Sequence, residues 1–309
     1  MPPLTGGTEW LNTEPLGPAD LRGHVVLVNI WTFTCINWLH QEPHVRAWAR
    51  AYRPDGLVVI GVHTPEFSFE HDIEGVQLAV TEREIDYPVL VDNEYAVWSA
   101  FANHYWPALY FIDRDGIIRD HHFGEARYEQ SERVIQQLLG IERDFVPVDG
   151  VGVEAEADWD HLLTPETYLG YTRIERLASP QGVKACRHWD YHLPERLSLN
   201  QWALTGEWTI GPENVVLDRA GGSISYRFHA RDAHLVLSPA APGPMRFRVL
   251  LDGEAPGKSH GLDVDQDGNG WLREGRLYQL VRQADEVRER TLQITFLRPG
   301  AAAYAFTFG

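Results

Sequence analysis

Val25-Val26-Leu27-Val28-Asn29-Ile30-Trp31-Thr32-Phe33-Thr34-Cys35-Ile36-Asn37-Trp38 is the stretch on which the reading of this chain turns. Its first half is an apolar run rich in β-branched residues, bounded upstream by Arg22-Gly23-His24, and it reads as a buried strand. After Cys35 the apolar positions fall at Trp38, Leu39, Val45, Trp48, Ala49 and Tyr52, which is helical spacing. Cys35 therefore stands where a strand hands over to a helix. Unpaired N–H groups and the positive end of the helix dipole favour an anion there. For a cysteine that anion is the thiolate, the form that attacks disulfides and peroxides.

Working outward, Pro43 falls inside the helix and removes one of its hydrogen bonds. Arg53-Pro54-Asp55-Gly56 ends it, and Leu57–His63 is a second buried strand. A helix over 69–84, a short strand over 88–92 and a short helix over 94–103 follow. Tyr105–Asp113 makes a further strand around Trp106 and Pro107, and Asp113-Arg114-Asp115-Gly116 turns into a strand over 117–124. A helix over 127–140 closes the unit. Strands alternating with helices predict an α/β sheet covered on both faces. Acidic residues with Pro147, Gly150 and Gly152 mark a linker. Beyond it, short strands separated by Gly- and Pro-containing turns predict a β-sandwich or jelly roll. The expected organisation is 1–141, a linker at 142–165, and 166–309.

The stretch resembles the active-site region of the thioredoxin superfamily, in particular its TlpA/ResA branch and the C-terminal region of DipZ-type proteins. The resemblance rests on Trp31 four residues before Cys35, Pro43 eight after it, and the upstream Trp10-Leu11-Asn12 and Asp20-Leu21-Arg22-Gly23. It continues through Thr164–Tyr168, Arg276–Val281 and Tyr304–Gly309, so it covers nearly the whole chain. It implies an α/β thioredoxin-like domain followed by an all-β, carbohydrate-binding-module-like sandwich. It also implies that Pro107 is a cis-proline facing Cys35, and that Asn29 stands where thioredoxin has a buried acid. One position departs from the pattern. The family's C-x-x-C reads Cys35-Ile36-Asn37-Trp38 here, so the resolving cysteine is missing.

A dithiol site releases its mixed disulfide with the second thiol. With Trp38 in that place, release needs an external thiol, a partner protein or Cys186. The expectation is a monothiol redox protein with Cys35 as nucleophile and Trp31, Asn37, Trp38, Trp106 and Pro107 as the substrate platform. Its partners would be protein or small-molecule thiols and disulfides. A second reading is a non-catalytic binder of a peptide or glycan. A third is a one-cysteine peroxidase, since Thr32–Cys35 fits T-x-x-C, although the proline expected before that motif falls at Val28. Cys35 as a plain buried apolar residue is the bland alternative.

Other candidates are weaker patterns. His40 and His44 are one helical turn apart, a spacing metals use, with no third ligand in view. His63, Glu66 and His104 could line the cleft. His188 and His192 share the one-turn spacing. Asp263, Asp265 and Asp267 with Glu274 fit the calcium-loop template D-x-D-x-D-G-x5-E, set against an acidic turn between strands. Trp202, Trp208, Tyr226 and Trp271 could stack on a sugar or fill the sandwich core. No cofactor is expected, with calcium at the acidic loop as the alternative.

Composition bounds the rest. The 309 residues suggest two domains, and 44% hydrophobic content suffices for packed cores. A net charge of −17, acidic in both halves, argues against nucleic acid and anionic membrane surfaces. Two cysteines make no disulfide framework. The start carries neither a basic n-region nor an apolar h-region. No apolar run approaches the ~20 residues that span a bilayer. The chain as it stands is expected to be cytoplasmic, while relatives of the family it resembles are often extracytoplasmic.

Overall fold

The apolar run quoted above forms the central strand of a six-stranded sheet, with all seven of its residues buried. The structure is a computed structural model that describes all 309 residues. They fall into two units, Met1–Glu156 and Ala157–Gly309.

The first unit runs β1 (Glu9–Leu11), α1 (Pro18–Leu21), β2 (Val25–Trp31), α2 (Ile36–Tyr52), β3 (Leu57–His63), α3 (Ile73–Glu82), β4 (Val89–Val91), α4 (Ala96–Ala100), β5 (Ala108–Ile112), β6 (Ile118–Phe123) and α5 (Tyr128–Leu139). The sheet order is β1-β4-β3-β2-β5-β6. β2, β3 and β4 are parallel, while β1, β5 and β6 run against their neighbours. Asp113 accepts from the Asp115 and Ile117 amides, and Gly116 takes φ +79, which closes the turn expected there.

Two stretches of the first unit have local contacts that the sequence does not reveal. The helix expected over 69–84 starts at Ile73, because the Asp72 carboxylate caps the Glu74 amide and Ser68–His71 forms a 3-10 turn before it. Residues 142–156 pack on the first unit. The Val146 amide donates to buried Glu132, which also takes the Trp48 indole at 2.9 Å, and Arg83 pairs with Glu154 at 2.8 Å.

The second unit runs β7 (Thr167–Tyr168), β8 (His188–Tyr191), β9 (Trp202–Ile210), β10 (Val215–Leu217), β11 (Ser223–Phe228), β12 (Asp232–Pro239), β13 (Met245–Leu251), β14 (Asn269–Leu272), β15 (Arg276–Arg282), β16 (Arg290–Phe296) and β17 (Ala301–Phe308). All named strands pair antiparallel, in the order β14-β13-β16-β11-β9-β10-β17-β12-β15, with β8 on β9 and β7 on β17. The sheet curls back on itself, so strands that do not pair with each other meet across the core. Tyr226 of β11 lies 5.0 Å from Phe306 of β17, and Trp208 of β9 lies 6.1 Å from Phe296 of β16.

β9 makes the corner. Residues 202–205 pair with β11 and 208–210 pair with β10. Gly206 sits between them at φ +90, and a Cβ there would stand 3.0 Å from the Gly222 Cα. Gly206→Ala is therefore expected to destabilise the second unit by about 1–2 kcal/mol. A lowered urea midpoint checks this, and an unchanged midpoint would show that the corner tolerates a side chain.

Candidate active site

Sheet topology brings the site together. β2 and β3 are parallel, so Trp31 lies beside His63 at their carboxyl ends. β5 is antiparallel to β2 with Ile30 opposite Ala108, so the residues just before β5 return to the end of β2. The Trp106–Pro107 bond in that segment is cis, as the sequence reading expected. Open α/β sheets place their ligands beyond the carboxyl ends of such strands.

Cys35 is the N-cap residue of α2, with extended backbone (φ −74, ψ 115) and a partly exposed side chain. Its amide donates to the Thr32 carbonyl at 3.2 Å, and its carbonyl accepts the first intrahelical bond, from Leu39. The Cys35 sulfur thus starts at the helix end whose N–H groups lack intrahelical partners. Neither Cys35 nor Cys186 is in a disulfide. Cys186 is exposed in the second unit, its sulfur 3.9 Å from the Tyr171 hydroxyl.

The residues expected on the platform divide. Asn37 and Trp106 are partly exposed, and Pro107 is buried within its loop. Trp31 and Trp38, by contrast, have no exposed surface. They stack on each other, centroids 4.2 Å apart and planes 13° from parallel. They are packed inside the domain and offer no surface to a partner. The Trp38 indole N–H donates to the Asn29 side-chain oxygen at 3.3 Å, and the Asn29 amide donates to Gln41 at 2.9 Å. Gln41 in turn donates to the Gly124 carbonyl, and the Gly124 amide donates to the Pro107 carbonyl at 2.8 Å. The Trp106 indole donates to the Thr64 carbonyl at 2.9 Å and packs on Trp98.

Beneath the cysteine loop lies a buried polar cluster. The Thr32 hydroxyl is 3.5 Å from His63 Nε2. His63 is fully buried, stacks on Phe33 and meets Trp31 edge-on, and burial lowers its pKa to about 3, so it is neutral. The Thr34 hydroxyl donates to Glu70 at 2.5 Å. Glu70 is also fully buried. Loss of solvation pushes its pKa up to about 7, against the pull of the threonine hydroxyls. Sequence reasoning missed Glu70, since one glutamate in an expected helix reads as a solvated side chain.

The remaining candidates are scattered. His40 is buried against Glu125 at 2.7 Å, while His44 stacks on Tyr128 at 3.7 Å, with its pKa lowered by burial to about 4. The two share no ligand point. Glu66 stands in the connection above Glu70, and His104 is exposed beside Tyr105. His188 bridges Glu207 and Asp218, both at 2.9 Å, and exposed His192 stands 4.0 Å from Asp190.

The residues of the calcium template are engaged with groups of the chain itself. Asp263 and Glu274 both pair with Arg276, at 2.6 and 3.0 Å, and Asp265 accepts the Asp267 and Asn269 amides of its own turn. The Arg276 guanidinium thus stands between Asp263 and Glu274. Trp202, Trp208 and Tyr226 are core residues without exposed surface. Trp271 alone of the four aromatics reaches solvent, 44% exposed between Arg246 and Arg273.

A cysteine capping the helix that follows a central strand, with a cis-proline returned to the same end of the sheet, defines a thioredoxin-like domain. The chain belongs to the thioredoxin superfamily, within its TlpA/ResA-like branch. Residues 10–121 match the AhpC/TSA family, and residues 164–309 match a family described as "Thioredoxin like C-terminal domain". Protein DipZ of Mycobacterium tuberculosis is 36% identical over 259 residues, covering 82% of this chain and 36% of DipZ. The chain thus spans about a third of the length of that relative. Thiol-disulfide oxidoreductase YkuV of Bacillus subtilis is 30% identical over 139 residues, covering 45% of this chain and 93% of YkuV. A solved thioredoxin-like protein in its oxidised form is 31% identical, covers 46% of this chain and 96% of its own, and superposes with a TM-score of 0.42. No helix of the structure is long and apolar enough to cross a membrane.

Proposed function

We propose that this chain is a monothiol redox protein acting on protein or small-molecule thiols and disulfides. The Cys35 thiolate attacks one sulfur of a disulfide R–S–S–R′. The S–S bond breaks, Cys35–S–S–R forms, and R′–S⁻ leaves with the electron pair and takes up a proton. An external thiolate then attacks the mixed disulfide, so that R departs as a new disulfide and Cys35 is regenerated. One observation carries this reading: a partly exposed thiol caps α2 while the fourth position of the motif is a fully buried indole. The helix start stabilises the thiolate, and the Trp106–Pro107 loop offers an extended backbone for the partner. The name of the relative YkuV points the same way.

The test uses a Cys186→Ser chain, so that only Cys35 reports. Its iodoacetamide rate across pH should titrate well below the ~8.5 of an ordinary thiol. Cystamine should form an adduct that added small thiol removes, and Cys35→Ser should abolish both. A midpoint at or above ~8.5 with no adduct sinks the proposal and favours the peptide- or glycan-binding alternative. The match of residues 10–121 to the AhpC/TSA family keeps the one-cysteine peroxidase as a second reading. Peroxide consumption that depends on an added thiol and on Cys35 would favour it.

A further inference from the structure

We infer that Glu70 is the positioning residue of the cysteine loop: its carboxyl holds Thr34, and through Thr34 the backbone that presents Cys35 at the start of α2. This rests on the reading of Cys35 as the reacting thiol. The geometry is complete on both oxygens. Oε1 accepts the Thr34 hydroxyl at 2.5 Å, and Oε2 accepts the Glu66 and Phe67 amides at 2.6 and 2.9 Å. One carboxyl therefore ties the β2–α2 loop, which carries Cys35, to the β3–α3 connection.

These donors are all neutral, and Glu70 has no exposed surface. A tie that served only the fold would be less costly with an amide, since an ionisable group buried among neutral donors resists charging. An ionisable group kept beside a nucleophile can instead act on its chemistry. The titratable groups around it are His63 from β3, which is neutral, Glu66 from the connection, His71 on the same turn, and Cys35 itself. Burial is the largest influence on Glu70 and the Glu66 charge adds to it, while Thr34 and Thr32 oppose them. With its pKa at about 7, Glu70 changes charge within the working range of a thiol, one residue from Cys35 along the Thr34 bond.

Ionised Glu70 opposes a second negative charge on Cys35. The rate of Cys35 alkylation against pH, measured in the Cys186→Ser chain, should then show two inflections, one from Glu70 near neutrality and one from the thiol. Glu70→Gln keeps the shape and removes the charge. The lower inflection should vanish and the thiol midpoint should fall, each unit giving roughly tenfold more thiolate at a pH below it. Thr34→Val removes the hydroxyl donor and keeps the carboxyl. Losing that bond raises the Glu70 pKa further, so the lower inflection should move to higher pH.

A purely structural tie would change stability and leave both inflections in place. A Glu70→Gln profile that superimposes on its parent, while the parent thiol titrates low, overturns this inference alone. A parent midpoint at or above ~8.5 overturns the redox reading itself. Should Glu70→Gln fail to fold, an unmoved inflection in Thr34→Val overturns the inference by itself.

Discussion

Trp38→Cys should destabilise the first unit by about 3–5 kcal/mol and give Cys35 a neighbour to oxidise with. The loss follows from what the indole touches. It has no exposed surface, it stacks on Trp31, and it donates to the Asn29 oxygen. A cysteine leaves a cavity, an unstacked Trp31 and an acceptor without its donor inside the protein. The gain follows from spacing. Residues 35 and 38 stand three apart at a helix start, where side chains share a face. Urea unfolding of the reduced variant reads the first effect. Thiol counting after mild oxidation, then turnover on a disulfide substrate in limiting external thiol, reads the second. A variant as stable as the parent would show that the stack is incidental. A variant that never closes a bridge would show that more than one residue separates this site from a dithiol.

Glu42→Gln should stabilise the chain by about 3 kcal/mol at pH 8.5 and change little at pH 4.5. Glu42 lies inside α2 with no exposed surface and no hydrogen-bond partner on either carboxylate oxygen. Burial raises its pKa from 4.5 to about 7, although Arg46, 3.6 Å away, pulls the other way. The buried Tyr87 hydroxyl, whose pKa the Glu42 charge helps to raise, also lacks a partner. The folded chain thus binds the Glu42 proton more tightly than the unfolded chain. Its contribution is fully present below pH 4.5 and is lost as pH rises through 7. His44 acts in the opposite sense. Its pKa falls to about 4 on folding, so its contribution is present above 6.5 and is lost as pH falls. Comparing variant with parent at each pH cancels the histidine. Equal urea midpoints at pH 8.5 would refute the assignment.

The central strand and the helix after it were legible because each depends on local pattern, a β-branched run and helical spacing, whereas the cis-proline was legible only through the family resemblance. Trp38 was legible in one sense and misread in another. Its helical spacing already placed it with Leu39 and Val45 on the inward stripe, yet its motif position suggested a place at the entrance. The periodicity was the better guide, because burial of a large aromatic surface outweighs a motif's register. Glu42 and Glu70 were invisible, since a carboxylate in a helical stretch gives no sign that it faces inward. The acidic loop at 263–274 is ambiguous in sequence for another reason. Aspartates and glycine that close a turn look like those that wrap an ion, and Arg276, whose guanidinium holds Asp263 and Glu274, follows the acidic template as an ordinary strand residue. β1 and β14 escaped because Glu9-Trp10-Leu11 and Asn269-Gly270-Trp271-Leu272 lack the continuous β-branched and apolar run that made the equally short β4 legible.

The backbone of Gly124 works as a spacer bar, its N–H fastened to the proline loop and its carbonyl to the cysteine-bearing helix through Gln41. The two jaws are therefore clamped at a set gauge before any visitor arrives. Adaptation falls to the visitor, and strands already drawn out straight will dock with less entropy to surrender than compact ones.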